Sequence, residues 1–312
     1  MNTPDVSILI VSFNTKQLTL ECLDSVYEQT RGVSFEVIVV DNASADGSAD
    51  AIEATYPQAR LIRSETNVGF AVANNIAAEV ATGRRLLLLN SDTRLLNDAV
   101  SAVVALADKD PNPAIVGGRT FFDDGRLNPN SCHGAPTPWS MFCLGTGLAS
   151  LMRRSALFHP EGLGKWERDS RRVVDAITGC FLLIDADVWR TLGGFDADFF
   201  MYGEDTDLCL RAGKLDVASV ICPDARLVHH GGASDTVRAD KLVRLFRAKA
   251  QLVRRHWSPP TRLFGIAALV AWAGTRAGAH GLLRAMRPGK SRRSFDVWWE
   301  VWNRRGEFTR VA

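Results

Sequence analysis

Four strand-length segments crowd the first 90 residues, most of them apolar runs: "VSILIVSF" (6–13), "FEVIVV" (35–40), the more polar "ARLIRS" (59–64) and "RRLLLLN" (84–90). Near-continuous hydrophobic runs of this length mark strands buried on both faces, as in a parallel sheet covered by helices. Helical patterns separate them. Leu18, Cys22 and Val26 recur at i, i+4 and i+8 after the first run, and "ADGSADAIEATY" and "GFAVANNIAAEVA" follow the second and third. "NDAVSAVVALAD" adds a helix after the fourth. Strand and helix in alternation predict an α/β fold of βαβ units, with a mostly parallel, Rossmann-like central sheet flanked by helices.

From 114 to 177 the pattern weakens. "AIVGGRTFF" reads as a strand and the stretch after it as long loops. "AITGCFLLI" (176–184) restores a strand, and "DADVWRTLGG" predicts a helix closed by glycine. "VASVIC" and "ARLVHH" predict two short strands. The six cysteines, at 22, 132, 143, 180, 209 and 222, form no C-x-x-C pair. They suit reduced thiols better than a disulfide framework or a zinc site.

Charge divides the chain unevenly. Residues 238–312 carry 17 Lys+Arg against 4 Asp+Glu, leaving 20 basic and 31 acidic side chains elsewhere. Five of the eight tryptophans (257, 272, 298, 299 and 302) lie in this basic region. "ADKLVRLFRAKAQLVRRHW" puts Leu242, Leu245, Phe246 and Leu252 on one side and Lys/Arg on the other. Such a helix suits the surface of an anionic membrane; packing on the domain with a solvated basic face explains it equally well. No recognised nucleic-acid motif accompanies the charge, so no nucleic-acid partner is expected. The nearest approach to a membrane span, "LFGIAALVAWAG" (263–274), is too short to cross a bilayer. The opening residues lack a signal-peptide pattern, and a cytoplasmic location is expected.

Active sites in open α/β sheets lie at the carboxyl ends of the strands. Asn14, Asp41, Asn67, Asn90 and Asp92 all follow strand ends. Each alone suits a turn or cap, but four consecutive strands ending this way point to a shared pocket. "SFNT" after the first strand lacks G-x-G-x-x-G, and there is no Walker A sequence, so a dinucleotide loop is not supported. A phosphate ligand would then call for a divalent cation held by one or two carboxylates. Asp92 is the best single candidate, with His229 or His230 of "LVHHGGAS" (227–234) as a second ligand. "MYGEDTDLCLR" (201–211) crowds Glu204, Asp205 and Asp207 together. An acidic first helical turn and a proton-abstracting carboxylate both fit that segment.

Six motifs in order, "VSILIVSFNT", "VIVVDNASADGS", "NVGFAVANN", "LLLLNSDT", "TGCFLLIDADVWRTLGGFDADFFMYGEDTDLCLR" and "HHGGAS", resemble the family 2 glycosyltransferases, inverting enzymes with the GT-A fold. The resemblance covers roughly residues 5–235. It implies a nucleotide-sugar donor half (1–115) and an acceptor-binding and catalytic half (116–235) of one domain, followed by the basic, Trp-rich helical extension 236–312. Asp41 is implied to hydrogen-bond the donor's base, with Ser12 and Asn14 beside it. Asn67 to Asn75, including Gly69, Phe70 and Asn74, would line the nucleotide and diphosphate. Asn90, Ser91 and Asp92 occupy the place of the family's D-x-D motif, Asn90 replacing its first acid and lowering the charge. Asp92 and His229 are the implied ligands of Mg²⁺ or Mn²⁺. Asp205 matches the general base, while Glu204 and Gly179 would meet the acceptor. Asp207 and Arg211, at i and i+4, read as a helix-surface pair.

The blend of motifs looks most like bacterial transferases of cell-wall or O-antigen polysaccharide, many of them rhamnosyltransferases using a dTDP-linked donor. The resemblance implies a glycan or lipid-linked acceptor; with the basic, Trp-rich tail, such an acceptor makes peripheral contact with the cytoplasmic face of an anionic membrane through 236–312 the expectation, and a homo-oligomer is left open. A UDP- or GDP-linked donor is the alternative. A sugar nucleotidyltransferase is disfavoured because "SFNTKQ" has no Gly-rich loop. A non-catalytic binding protein would leave Asp41, Asp92, Asp205 and His229 together without a task.

Overall fold

Each of the four predicted segments forms a strand. In the computed structural model, which describes residues 3–109, 114–231, 238–286 and 292–310, strands and helices alternate strictly through the first 90 residues. The order is β1 (Val6–Ser12), α1 (Lys16–Gln29), β2 (Phe35–Asp41), α2 (Ser48–Thr55), β3 (Arg60–Arg63), α3 (Phe70–Glu79) and β4 (Arg85–Asn90). β1 pairs in parallel with both β2 and β4, so Ser12 lies beside Asp41, and Val11 beside Asn90. β3 pairs with β2 at the sheet edge, and none of its four residues is fully buried, as that position dictates.

The chain continues through β5 (Thr93–Leu95), α4 (Ala99–Asp108), β6 (Ala114–Phe121), β7 (Cys132–His133), α5 (Pro138–Thr146) and α6 (Leu148–Leu151). Then come β8 (Arg172–Val174), β9 (Ala176–Ile177), β10 (Phe181–Asp185), α7 (Ala186–Leu192), α8 (Glu204–Gly213) and β11 (Ala218–His229). Among the described residues nine strands form one sheet, in the order β3-β2-β1-β4-β10-β6-β11-β5 with β8 beside β11. β10 runs antiparallel to β4 and β6. Its N-terminal end, and with it the Gly179–Cys180 turn, therefore meets the carboxyl end of β4, where the Asn90 N–H donates to the Cys180 carbonyl. β5 runs antiparallel to the end of β11 and sets Thr93 opposite His229.

Cys22, Leu23, Val26, Ile52, Val100 and Val103 from α1, α2 and α4 pack on Ile8, Ile10, Val37, Val39, Leu87 and Leu89 as one buried cluster. Alternate residues of the same strands, Leu9, Ile38, Val40 and Leu88, are equally buried outside that cluster. Both faces are covered, which explains the unbroken apolar runs. All six cysteines are free and buried.

Two local readings change. "VASVIC" and "ARLVHH" are one strand, β11, because a register shift against β6 between Ile221 and Arg226 absorbs the turn-like "CPDA". Within the stretch read as loops, α5 starts with a reciprocal capping box between Thr137 and Ser140, and Pro138 occupies its first turn.

The chain divides into two units, Met1–His133 with Glu167–Ser234, and Gly134–Trp166 with Asp235–Ala312. The second holds α5, α6, α9 (Arg238–His256), α10 (Pro259–Met286), α11 (Arg292–Asn303) and α12 (Gly306–Thr309). Its core gathers Met141, Val243, Phe246, Leu269, Ala273, Val301 and Phe308, with Trp257, Trp272, Trp298 and Trp302 packed against it. Phe246 stacks on Trp272 with ring centroids 4.6 Å apart. From α9, Val243, Phe246 and Ala250 join this core with Leu242 packed against it, while Leu252 is buried and Leu245 is exposed. Among the described residues no helix is long and apolar enough to cross a membrane.

Candidate active site

The carboxyl ends of β1, β2 and β4 form one ledge. Asp41, at the end of β2, is buried; its Oδ2 accepts from the Ser44 N–H at 3.1 Å, while its Oδ1 has no hydrogen-bond partner among the described residues. A buried carboxylate oxygen left unpaired is costly unless a ligand completes it. Beside it Asn42 donates to the Asn67 side-chain oxygen (3.0 Å) and accepts from the Val68 N–H (3.0 Å). Those bonds fix the loop entering α3. Gly69 there has φ +84° and ψ 170°, a region essentially closed to other residues. A Cβ at Gly69 would lie 2.5 Å from the Phe200 carbonyl oxygen, which accepts from the Phe70 N–H at 2.8 Å.

The other donor-side candidates fall into two groups. Ser12 is buried against the Thr19 hydroxyl (2.9 Å), and the Ser91 hydroxyl meets that of Thr15 (3.1 Å). Asn14 is exposed with φ +52°, and its side-chain oxygen accepts from the Ala45 N–H (2.8 Å), tying the loops after β1 and β2 together. Asn74 is buried and donates back to the Phe70 carbonyl in its own helix.

Asp92 and His229 are brought together by the β5–β11 pairing: His229 Nε2 lies 3.3 Å from Asp92 Oδ1. The Gly231 N–H donates to Asp92 Oδ2 (3.1 Å), and the Asn90 amide lies 3.3 Å from the same imidazole nitrogen. Burial opposes charge on Asp92, but His229 and the Gly231 N–H outweigh it and hold the carboxyl below its ordinary 3.8. Burial likewise opposes charge on His229, yet Cys180 and Asp92 beside it raise the imidazole from 6.5 to about 10. His230 turns instead to Asp123 (2.8 Å). The rest of the "HHGGAS" motif, residues 232–234, lies outside the described residues.

The donor set suits a divalent cation. Asn90 Oδ1 and His229 Nδ1 are buried without hydrogen-bond partners among the described residues, next to the Asp92 carboxylate. Among those residues no group of three or more His, Cys, Asp or Glu side chains is placed to hold a metal. Two protein ligands completed by phosphate oxygens is the arrangement Mg²⁺ commonly adopts.

Asp205 and Glu204 open α8 behind Gly203, whose φ of +88° makes the turn. Adjacent in sequence, they have opposite environments. Asp205 is half-buried; its Oδ2 accepts from the Gly179 N–H (3.0 Å) and its Oδ1 from the Thr206 N–H (2.6 Å) and hydroxyl (3.1 Å). Glu204 is buried, with Oε2 unpartnered among the described residues. Burial first, then the charge of Asp205, pushes its carboxyl well above 4.5 and favours the protonated acid. Asp207 and Arg211 are no surface pair: the Asp207 side chain is 2% exposed and lies 2.7 Å from Arg211 Nε. Arg211 also donates to the Leu192 and Gly194 carbonyls, clamping the loop after α7 to α8. The inward face of α8 creates this pair, which i,i+4 spacing alone cannot distinguish from an exposed one.

Sequence reasoning passed over Asn42, Cys180, Thr206 and Phe200. Asn42 follows Asp41 directly and Thr206 follows Asp205, so adjacency was the available signal. Cys180 and Phe200 arrive through β10 and the loop before α8, which no local pattern announces.

A mostly parallel sheet with polar groups along its carboxyl edge and a further carboxylate at a helix start defines an α/β protein of the GT-A class. The mannosyltransferase of Pyrobaculum calidifontis, solved in complex with GDP-mannose and Mn²⁺, shares this fold with TM-score 0.57 at 19% identity, over 96% of this chain and 86% of that one. Residues 7–188, more than half of the chain, match the family model for glycosyl transferase family 2, and the chain belongs to that family. The O-antigen biosynthesis protein RfbC of Myxococcus xanthus is 28% identical over 247 residues, 77% of this chain and 18% of that protein. The N-acetylglucosaminyl-diphospho-decaprenol L-rhamnosyltransferase of Mycobacterium tuberculosis is 28% identical over 220 residues, 62% of this chain and 66% of that one. The chain thus spans less than two thirds of the length of these curated relatives.

Proposed function

We propose that this protein is an inverting glycosyltransferase that moves a sugar from a nucleoside-diphosphate donor to a hydroxyl of a glycan or lipid-linked acceptor. The observation that carries this is the convergence of Asp41, the Asn90–Asp92–His229 group and Asp205 on one ledge of the sheet. Asp41, with one oxygen unpartnered among the described residues, receives an N–H of the donor's base. Asp92 and His229 would hold a divalent cation, with Asn90 Oδ1 as a neutral third donor, and the charge it would supply there is of the kind that stabilises a departing diphosphate.

Asp205 takes the proton of the acceptor hydroxyl as that oxygen attacks the anomeric carbon on the face opposite the diphosphate, which inverts the configuration. Its hydrogen bonds from Gly179 and Thr206 fix the carboxylate in place. A base so placed contributes on the order of 10²–10⁴-fold to the rate. Glu204, buried and held as an acid, is unsuited to take that proton and instead shapes the acceptor side.

The relatives named for O-antigen biosynthesis and for rhamnosyl transfer support dTDP-rhamnose as the first donor to test, in the building of a bacterial surface polysaccharide. The experiment is a panel of dTDP-, UDP- and GDP-sugars with Mg²⁺ or Mn²⁺ and lipid-linked acceptors, following nucleoside diphosphate release and the anomeric configuration of the product. Acceptor-dependent release with inversion is expected. A product with retained configuration would overturn the assignment of Asp205 as base.

A further inference from the structure

The second unit contains a cavity of about 290 Å³ lined by Arg153, Arg238, Arg276, His280, Ser294 and Trp298 among others. These residues come from the end of α6 and from α9, α10 and α11. Among the described residues no carboxylate lines it. Asp296, close by in sequence, is paired with Arg284 at 3.6 Å. Arg153 donates to the Ser150 carbonyl (3.3 Å), and Arg276 to the Ser150 hydroxyl. Arg276 also lies over the Trp298 ring, 5.7 Å from its centroid, and its Nε is buried without a partner among the described residues.

Among the described residues, positive charge is therefore gathered here with no carboxylate in the lining. Burial and then Arg153 disfavour the charged form of Arg276; burial, Arg276 and then Arg238 do the same to His280. An anion in the cavity would offset the repulsion among these groups. Three guanidinium groups suit an anion with several oxygens, because each fork can give parallel hydrogen bonds to a phosphate. The volume is at the low end for small-molecule sites, which favours a phosphate ester headgroup over a whole nucleotide-sugar.

The surroundings select the source of that phosphate. Leu151 and Met152 precede Arg153, Leu282, Leu283 and Met286 follow His280, and Trp299 follows Trp298; all are at least 43% exposed. Exposed apolar side chains close in sequence to the residues lining a basic recess match the boundary between headgroups and acyl chains. We propose that this cavity binds the phosphate group of a membrane lipid, with Arg153, Arg238 and Arg276 as its anion-binding residues. The site is independent of the transfer reaction.

The test is co-sedimentation of the full chain with phosphatidylcholine vesicles, with and without phosphatidic acid. Arg153→Gln/Arg238→Gln, two exposed positions, is compared with Arg305→Gln/Arg310→Gln, which removes two exposed charges outside the cavity lining. Each basic charge near an anionic surface is worth roughly fivefold, so both pairs weaken binding. The cavity pair should lose a further ~10-fold, the worth of a charge-assisted hydrogen bond. Arg276→Gln should behave like the cavity pair provided its thermal midpoint is unchanged; if it is lowered, the exposed pair alone decides. Equal losses in the two pairs would reduce the effect to general attraction by the basic helices and overturn the site. Glycerol 3-phosphate, titrated as a soluble probe, should bind far more weakly than the doped vesicles. Equal binding would assign the cavity to a free phosphate ester and overturn the lipid assignment. Nucleoside diphosphate release with soluble acceptors is read separately, so failure here leaves the transferase reading standing.

Discussion

Asp205→Asn exchanges one carboxylate oxygen for an amide nitrogen at a position where every named contact is a donor. The amide oxygen is best spent on the Thr206 N–H and hydroxyl, 2.6 and 3.1 Å from Oδ1. That turns the new NH₂ toward the Gly179 N–H, which lies 3.0 Å from Oδ2 in the native protein. One hydrogen bond is lost at a half-buried site, so stability should fall by about 1 kcal/mol. Activity should fall much further. Removing the base raises the transfer barrier by about 3–5 kcal/mol, a rate loss on the order of 10²–10⁴. Donor affinity should stay at the wild-type level, because Asp41, Asp92 and His229 are untouched.

Three measurements separate these effects: urea unfolding without substrate, calorimetric titration of the donor with cation, and nucleoside diphosphate release with acceptor. Wild-type turnover in the variant would refute the base assignment. Lost turnover with a stability loss of several kcal/mol would show that the substitution acts through the fold instead.

Glu204→Gln should stabilise the protein increasingly as pH rises. The native acid has a folded value above its ordinary 4.5, so its favourable contribution is present below 4.5 and is lost as pH climbs toward the folded value. Urea midpoints that stay parallel across that range would contradict this. For His229, raised from 6.5 to about 10, the contribution of the pair with Asp92 is complete below 6.5 and lost as pH rises through about 10; His229→Gln should flatten that dependence. A cation ligand must be neutral imidazole, so Mg²⁺ or Mn²⁺ uptake at neutral pH should release a proton. Binding heats that do not vary with the ionisation enthalpy of the buffer would argue against His229 as a ligand. Gly69→Ala should cost about 1–3 kcal/mol from backbone strain alone, and more from the close approach to Phe200; an unchanged melting temperature would mean the α3 entry is not rigid. Asp207→Asn should lose on the order of 3 kcal/mol by leaving Arg211 without its buried partner, as measured by urea unfolding.

The sequence by itself determined the sheet and its working edge. Strands covered on both faces must be apolar throughout, so the runs at 6–13, 35–40 and 84–90 declared themselves without tertiary information, and a parallel sheet then puts Ser12, Asp41 and Asn90 at one end. Turn and cap residues are local features too, and Gly69, Gly193 and Gly203 stand where left-handed or extended glycine geometry is needed.

Tertiary structure alone decided what depends on long-range pairing. Asp92 and His229 are joined because β5 runs antiparallel to β11, a pairing that three residues of β5 do not announce. Burial separates Glu204 from Asp205, since adjacent residues on a helix point in different directions and only packing says which one faces the core. The same inward face turns Asp207 and Arg211 from a presumed surface pair into a buried clamp. The α9 helix shows the limit most clearly: its amphipathic pattern fits a membrane surface and a protein core equally, and the aromatic partners supplied by α10, α11 and α12 fill most of its apolar face. Periodicity specifies that a face must be covered; which surface covers it is settled only when the rest of the chain has folded.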